Sequence, residues 1–341
     1  MKACGFAMVG LVSLCVGDAA AQAQRQSSAG GAAPHVAAAK AAVGQYRGAR
    51  VLFERLCVMP PPIVAPQPAA QQAAAQPQGP PARAQWYAAP VKVFDNLYFI
   101  GQTEYTAWAV VTSDGIIVID PLFDYSVEDE VANGLMKLGL DPKQIKYVLI
   151  SHAHSDHVGG ARFLQERFGA HVVMSEADWN LLATDPGRWP KAKRDMVATD
   201  GQRLTLGDTT LTLYMTPGHT FGTISTIIPV KDGGRPHVAA LWGGTGFNWQ
   251  SGSPRYITPE RPARFWYENY SSSARRFRDI AAKAGADILL SNHPAYDATD
   301  VNLPAMAKRG AGQPHPYVIG SENVGRFLTV AEECAKAGPL W

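Results

Sequence analysis

The densest chemistry in this chain is the string His152-Ala153-His154-Ser155-Asp156-His157, three imidazoles and a carboxylate within six consecutive positions. It follows the β-branched, apolar run Tyr147-Val148-Leu149-Ile150, which reads as a buried strand. It precedes Gly159-Gly160 and Ala161-Arg162-Phe163-Leu164, which read as the opening of a helix. Side chains at such a junction can converge. His152 and His154 are two apart, so on extended backbone they face the same way. Asp156 and His157 come round at the start of the helix and face a second point nearby. Neutral imidazoles and carboxylates ligate zinc and similar divalent ions, and a catalytic zinc takes three protein ligands and leaves one position for water. One such histidine would ordinarily be a surface residue; four potential ligands at this spacing point to a metal loop.

The string resembles the HxHxDH signature of the metallo-β-lactamase superfamily. Further stretches match the order of that family's motifs. Thr216-Pro217-Gly218-His219-Thr220 follows the strand-like Leu211–Met215, and Ile288-Leu289-Leu290-Ser291-Asn292-His293 supplies a late histidine. Gly115-Ile116-Ile117-Val118-Ile119-Asp120 resembles the early strand whose terminal aspartate supports the metal loop. The resemblance covers roughly residues 90 to 295. It implies an α/β fold, an αβ/βα sandwich of two mixed sheets flanked by helices with a dinuclear metal site at the sheet edge. It also implies two zinc ions, one held by His152, His154 and His219, the other by Asp156, His157 and His293, with Asp120 bracing the loop.

Many relatives, including glyoxalase II and the quorum-signal lactonases, place a bridging aspartate between the last two histidines, and one β-lactamase branch places a cysteine there. This chain has neither in Leu241-Trp242-Gly243-Gly244-Thr245-Gly246-Phe247-Asn248. In that respect it is similar to subclass three of the class B β-lactamases, as it is in Asp200–Gly207 before the TPGHT string. The implied activity is opening of a β-lactam amide by a metal-bound hydroxide, with Asp156 orienting the nucleophile and taking its proton. That subclass carries serines that hold the β-lactam carboxylate; here the loop offers Thr245, Phe247 and Asn248. A lactone, ester or other cyclic amide substrate therefore stands as an alternative, with a non-enzymatic zinc protein as a second. Tyr105, Trp108, Phe221 and Phe247 are expected to line a hydrophobic cleft with Thr245 and Asn248. His35, His171, His237 and His315 have no second ligand at metal spacing and are expected to be structural.

The rest of the chain must position these groups. With 341 residues and a net charge of +2, it can bury a large core and is not suited to nucleic acid or an anionic membrane as its main partner. Residues 1–23 read as a secretory signal: Lys2, an apolar core from Gly5 to Val16, and Ala21-Gln22-Ala23 before the cut. The apolar core is too short to be a membrane anchor, so the periplasm of a bacterium, or secretion, is expected. Cys57 and Cys334 remain after the signal, and the choice between a disulfide and two thiols stays open. Residues 24–84 are expected to be a disordered lead rich in proline, alanine and glutamine, with a short helix over 36–57 from Tyr46, Ala49, Phe53 and Leu56. The hydrolase domain is expected over 85–341. Hairpins are predicted across Asp95-Asn96 and Ser113-Asp114, and a helix capped by Ser126 and stopped by Gly139. A helix near 158–168 should be followed by a strand at His171–Met174, a helix at Glu176–Leu182 and a loop over 184–199. Four strands between Arg203 and Trp242, a helix from Phe265 to Lys283 and a last helix from Ser321 to Ala337 complete the pattern.

Overall fold

The computed structural model describes residues 31–58, 79–251 and 255–341, without the side chains of Asn248 and Ser251. The expected signal and most of the Pro60–Arg83 tract lie outside the described residues. Two sheets form the centre. The first is 7-stranded in the order β1-β2-β3-β4-β5-β6-β7. Its strands are Val91–Lys92, Leu97–Phe99, Trp108–Thr112, Gly115–Ile119, Ile145–Leu149, His171–Ser175 and Met196–Ala198. β1 to β4 pair antiparallel, and β4 to β7 run parallel. The second is 5-stranded in the order β12-β11-β10-β9-β8. These are Arg203–Leu206 (β8), Thr209–Met215 (β9), Ile224–Asp232 (β10), Arg235–Trp242 (β11) and Ile288–Ser291 (β12). Only the β11–β12 pair in it is parallel.

Alternation along the strands makes two cores. Ile117, Ile119, Leu149 and Val173 face Leu211, Ile228, Ala239, Leu241 and Leu290 between the sheets. Their neighbours Val118, Val148, Val172, Ala240, Trp242 and Leu289 point the other way, under helices that supply Val131, Leu164, Trp266, Phe277 and Phe327. Strands buried on both faces must be apolar throughout, which is why β4 and β12 read as unbroken hydrophobic runs. The result is the four-layered αβ/βα sandwich.

Several local expectations shift. Ser126 does not cap its helix; its hydroxyl donates to the Phe123 carbonyl at 3.4 Å, while Asp129 pairs with Arg83. The helix near 158–168 is two pieces, Ser155–Val158 and Ala161–Phe168. The 184–199 loop ends in β7, whose pairing with β6 adds a strand to the first sheet. Residues 31–34, expected to be disordered, are helical, in a stretch that runs through residue 42. That alanine-rich segment has high helix propensity and a surface to lie on. Ala32 and Ala39 are buried, and His35 Nδ1 is 2.7 Å from Glu333 Oε2 in the helix Ser321–Ala337. A second arm helix, Arg47–Phe53, continues as a wider turn over Glu54–Val58 and ends at a Cys57–Cys334 disulfide. Thr299–Met306 is a further helix, containing Pro304, that periodicity did not announce. No described helix is long and apolar enough to cross a membrane.

Candidate metal centre

The two sheets meet at one edge through main-chain contacts. The Ile224 amide donates to the Ser151 carbonyl at 2.7 Å, and the Thr106 amide to the Asn292 carbonyl at 2.8 Å. The metal motifs sit at this seam because each lies just past a strand: His152 after β5, His219 after β9, His293 after β12. Asp120 ends β4 with φ of 56°. Positive φ is uncommon outside glycine, asparagine and aspartate, and here it turns the carboxylate into the seam. The Ser151 amide donates to Asp120 Oδ1 at 2.8 Å. The Ser151 hydroxyl and the Asn292 amide donate to Oδ2 at 2.7 and 2.6 Å. Asp120 thus ties the metal loop to the β12 end.

Two groups of potential ligands form, with the ligand atoms in each lying within 4.8 Å of one another: His152, His154 and His219, and Asp156, His157 and His293. His219 Nε2 is 3.1 Å from both His152 Nε2 and His154 Nδ1. Tetrahedral zinc with bonds of 2.0–2.1 Å sets its ligand atoms about 3.3 Å apart, so the spacing suits that ion. Each ring is fixed from behind. His152 Nδ1 donates to the Gly243 carbonyl at 2.8 Å and His219 Nδ1 to the Gly246 carbonyl at 2.5 Å. His154 Nε2 lies 2.7 Å from the Tyr256 hydroxyl. Such partners select the tautomer that turns a lone pair inward. Burial, more than any neighbour, pushes all three imidazoles down, His154 to about 4, so they are neutral at neutral pH, the form that can ligate a metal.

The second group has a different character. His157 Nε2 is 3.0 Å from Asp156 Oδ2 and its Nδ1 is 3.3 Å from Asp120 Oδ2, yet among the described residues neither buried nitrogen has an aligned hydrogen-bond partner. Burial alone would push His157 down; Asp156 and Asp120 instead hold it up at about 10. The pocket therefore favours a positive charge, and a divalent cation answers both the charge and the unpartnered nitrogens. His293 comes from across the seam, with its Nε2 3.9 Å from Asp156 Oδ2 and its Nδ1 donating to the Glu104 carbonyl at 3.1 Å. The groups adjoin, with the His152 and His157 ring centres 4.3 Å apart. The donors fit a pair of such ions.

Residues 100–233 match the model of the metallo-beta-lactamase superfamily. The chain carries a metallo-beta-lactamase superfamily domain. It is similar to BJP-1, a subclass B3 metallo-beta-lactamase of Bradyrhizobium japonicum, at 28% identity and a TM-score of 0.59, over 73% of this chain and 92% of that one. The native FEZ-1 metallo-beta-lactamase of Legionella gormanii gives 26% and 0.60, over 70% and 91%. By sequence alone it is similar to the hydroxyacylglutathione hydrolase of Acidiphilium cryptum, 26% identical over 60% of this chain and 73% of that protein. The hydroxyacylglutathione hydrolase of Klebsiella pneumoniae is 31% identical over 34% of this chain, but the match spans only 40% of that enzyme. The metallo-beta-lactamase domain is accordingly a hydrolase.

The six expected ligands are thus brought together. The expected cleft residues mostly are not. Trp108, 1% exposed, packs edge-on to Phe99 and Tyr317 in the inter-sheet core. Phe247, 3% exposed, is enclosed by Trp249, Tyr267 and Tyr270. Both sites demand large apolar groups, and that requirement overrides nearness to the motifs. The Thr245 hydroxyl is buried against Ser291 Oγ at 2.9 Å, so it faces β12 and not the cleft. Phe221 leans on Trp266 beneath Arg261. The side chain of Asn248 lies outside the described part. Tyr105 does reach the site, with its ring centre 5.2 Å from that of His293, and it borders a cavity of about 950 Å³ with Trp86, Phe123, Tyr125 and Ser155. His35, His171 and His237 pair with Glu333, Asp195 and Asp287, and His315 with the Val93 carbonyl.

Sequence reasoning missed two residues of consequence. Asp178, fully buried, accepts from the Ala153 amide at 2.8 Å, the Thr220 hydroxyl at 2.9 Å and the Gly222 amide at 2.8 Å. It staples the His152–His154 loop to the His219 loop. Tyr256 is the other. Nothing near either residue in the sequence marks it, since their partners are distant along the chain.

Proposed function

We propose that the chain is a secreted zinc hydrolase that opens the amide of a β-lactam ring. One observation carries the choice of substrate. The β11 end enters the site backbone-first: a Cβ at Gly244 would lie 2.4 Å from His219 Cβ, and the Thr245 side chain is turned to Ser291. Residues 241–248 hold no carboxylate or thiol to enter between the groups, where thioester- and lactone-cleaving relatives carry their bridging acid. The two similar β-lactamase structures are each matched over more than nine-tenths of their length. A secreted location is supported by the signal-like residues 1–23 and by the Cys57–Cys334 bridge, since disulfides persist in oxidising compartments.

His152, His154 and His219 would hold one zinc, and Asp156, His157 and His293 the other. When bound, zinc supplies a Lewis acid for the carbonyl and brings the pKa of water toward neutrality. The protein's own groups do the rest. The outward hydrogen bonds of His152, His154 and His219 keep their lone pairs aimed at one point without reorganisation. Asp156 belongs to the second group; burial alone would raise it, but His157 and His293 hold it well below the usual carboxylate range. It accepts a hydrogen bond from the attacking water, orients it toward the carbonyl, and takes its proton for delivery to the departing nitrogen. Tyr105, edge-on to Phe123 at 5.0 Å, gives the approach an apolar wall that excludes water on that side.

The test is turnover of a chromogenic cephalosporin by the purified protein, with and without chelator, beside a lactone panel and a hydroxyacylglutathione thioester. Chelator-sensitive cephalosporin opening is expected. Turnover of thioester or lactone alone would replace the substrate, and silence with zinc tightly held would leave a binding protein. Mass spectrometry of the protein recovered from periplasm should give a chain beginning after Ala23.

A further inference from the structure

We infer that the N-terminal arm, residues 31–58, is a positioning element for His293, and that the disulfide and Gly48 are its two fastenings. The inference rests on the metal reading of the site and is independent of the substrate. Asp156 and His157 stand on the loop that follows β5; His293 alone crosses the seam to complete their group. His293 opens the segment 293–300, which runs into the helix Thr299–Met306. Its inner side is anchored by Asp297, which accepts from the Ser291 amide at 2.8 Å and the Thr299 amide at 2.9 Å. Its outer side rests on the arm.

Three contacts make that rest. The Tyr296 carbonyl approaches Gly48 so closely that a Cβ there would lie 2.1 Å from the oxygen. Arg47 grips the Asp300 carboxylate with both guanidinium nitrogens at 2.7 Å. The Arg55 guanidinium is near enough to the Tyr296 hydroxyl to oppose the upward push that burial gives it. The Tyr296 amide in turn donates to the His293 carbonyl at 3.1 Å, so the residue gripped by the arm is also tied to the ligand's main chain. The arm is fixed behind by Cys57–Cys334, which joins it across 277 residues to a buried position in the helix Ser321–Ala337. His35 with Glu333 adds a second tie to that helix. None of these contacts reaches His152, His154 or His219.

The arm should therefore set the affinity of one metal group and leave the other alone. Gly48→Ala forces the arm and the Tyr296 carbonyl apart. The Cys57→Ser/Cys334→Ser pair releases the arm's far end. Zinc is titrated into the metal-free full chain against a chromogenic chelator, which reads two binding constants without any assay of turnover. Each variant is expected to weaken one constant about tenfold, in the range seen when the partners behind a ligand are lost, and to leave the other unchanged. In a His293→Ala background a single zinc should bind, and adding Gly48→Ala should change nothing. Arg309→Ala, which breaks the remote Arg309–Asp232 pair, controls for general destabilisation and should leave both constants as in the parent. Arm variants that bind both zincs as the parent does would overturn the inference, as would equal weakening of both constants or a Gly48→Ala effect that persists without His293. A parent chain that takes up no zinc would instead overturn the metal reading itself.

Discussion

The two ligand groups lie side by side yet are built by different means. In the all-histidine group, two rings are locked by main-chain carbonyls at 2.8 and 2.5 Å, and the third by the hydroxyl of a buried tyrosine. Those carbonyls belong to Gly243 and Gly246, on the segment that leaves β11, so the fold that pairs the sheets also aims the rings. In the mixed group the side chains of Asp156 and His293 are 20% and 28% exposed, and His293 depends on a single carbonyl of the 103–106 loop. Its segment is positioned from outside, by the arm. A site assembled from strand ends inherits the rigidity of the sheets; one completed by a loop is only as fixed as what the loop leans on.

Breaking the first group should have the largest effect. His154→Ala, or His219→Ala, is expected to remove hydrolysis below detection, at least about 10³-fold given the several kcal/mol of stabilisation a metal site supplies, while far-ultraviolet circular dichroism stays that of the parent. An active, zinc-poor His154→Ala would sink the assignment. His293→Ala should cost less, leaving one tightly held zinc and residual turnover. Graded chelation sharpens the contrast without mutation. One zinc should leave at lower chelator concentration, and the thermal midpoint should fall in two steps, since each bound ion stabilises the folded state by mass action. A single step would mean that the groups are energetically one.

Asp178→Ala tests what joins the first group together. Removing the carboxylate strands the Ala153 and Gly222 amides in a buried site, each worth roughly 1–3 kcal/mol when unpaired. A loss of roughly 3 kcal/mol in urea unfolding is expected. The zinc of the all-histidine group should weaken and the other should not. Equal weakening would show that the staple supports the whole seam.

How much of this was legible depended on whether the signal was local. The convergence of the six candidate ligands could be read because metal chemistry needs rare residue types at short spacing, and because each motif follows a strand with an apolar run. β4 and β12 announced themselves through full burial. The arm did not. Its pattern around Tyr46, Ala49, Phe53 and Leu56 is local and legible, but its purpose lies in contacts far away in sequence, such as Arg47 with Asp300, 253 positions apart. Asp178 and Tyr256 escaped for the same reason: their partners are distant in sequence, and an acid or a phenol alone carries no spacing. Trp108 and Phe247 serve the cores, because proximity to a motif in sequence does not decide which way a side chain turns, whereas Tyr105 does reach the site.

Buried carboxylates extend the contrast beyond the site. Asp156 is flanked by imidazoles that keep it ionised, so its contribution is present near neutrality and is lost on acidification. Glu130 is more deeply enclosed and poorly partnered. One oxygen accepts from the Ala88 amide at 2.9 Å, the other has no hydrogen bond among the described residues, and burial pushes the carboxyl up to about 8. Its sign is therefore reversed. Below the unfolded value near 4.3, both states hold the proton and nothing is lost. As pH rises toward 8, the unfolded chain gives up a proton that the folded chain keeps, and stability falls until the folded carboxyl also ionises. Glu130→Gln removes the titration and keeps the shape. Measured by urea unfolding, its advantage over the parent should be small at pH 5 and grow to roughly 2–4 kcal/mol at pH 8.5, with both zinc affinities unchanged. An advantage that does not change with pH would show that the Glu130 carboxylate is already accommodated as an anion, and that the enclosure around it resembles the one around Asp156 after all.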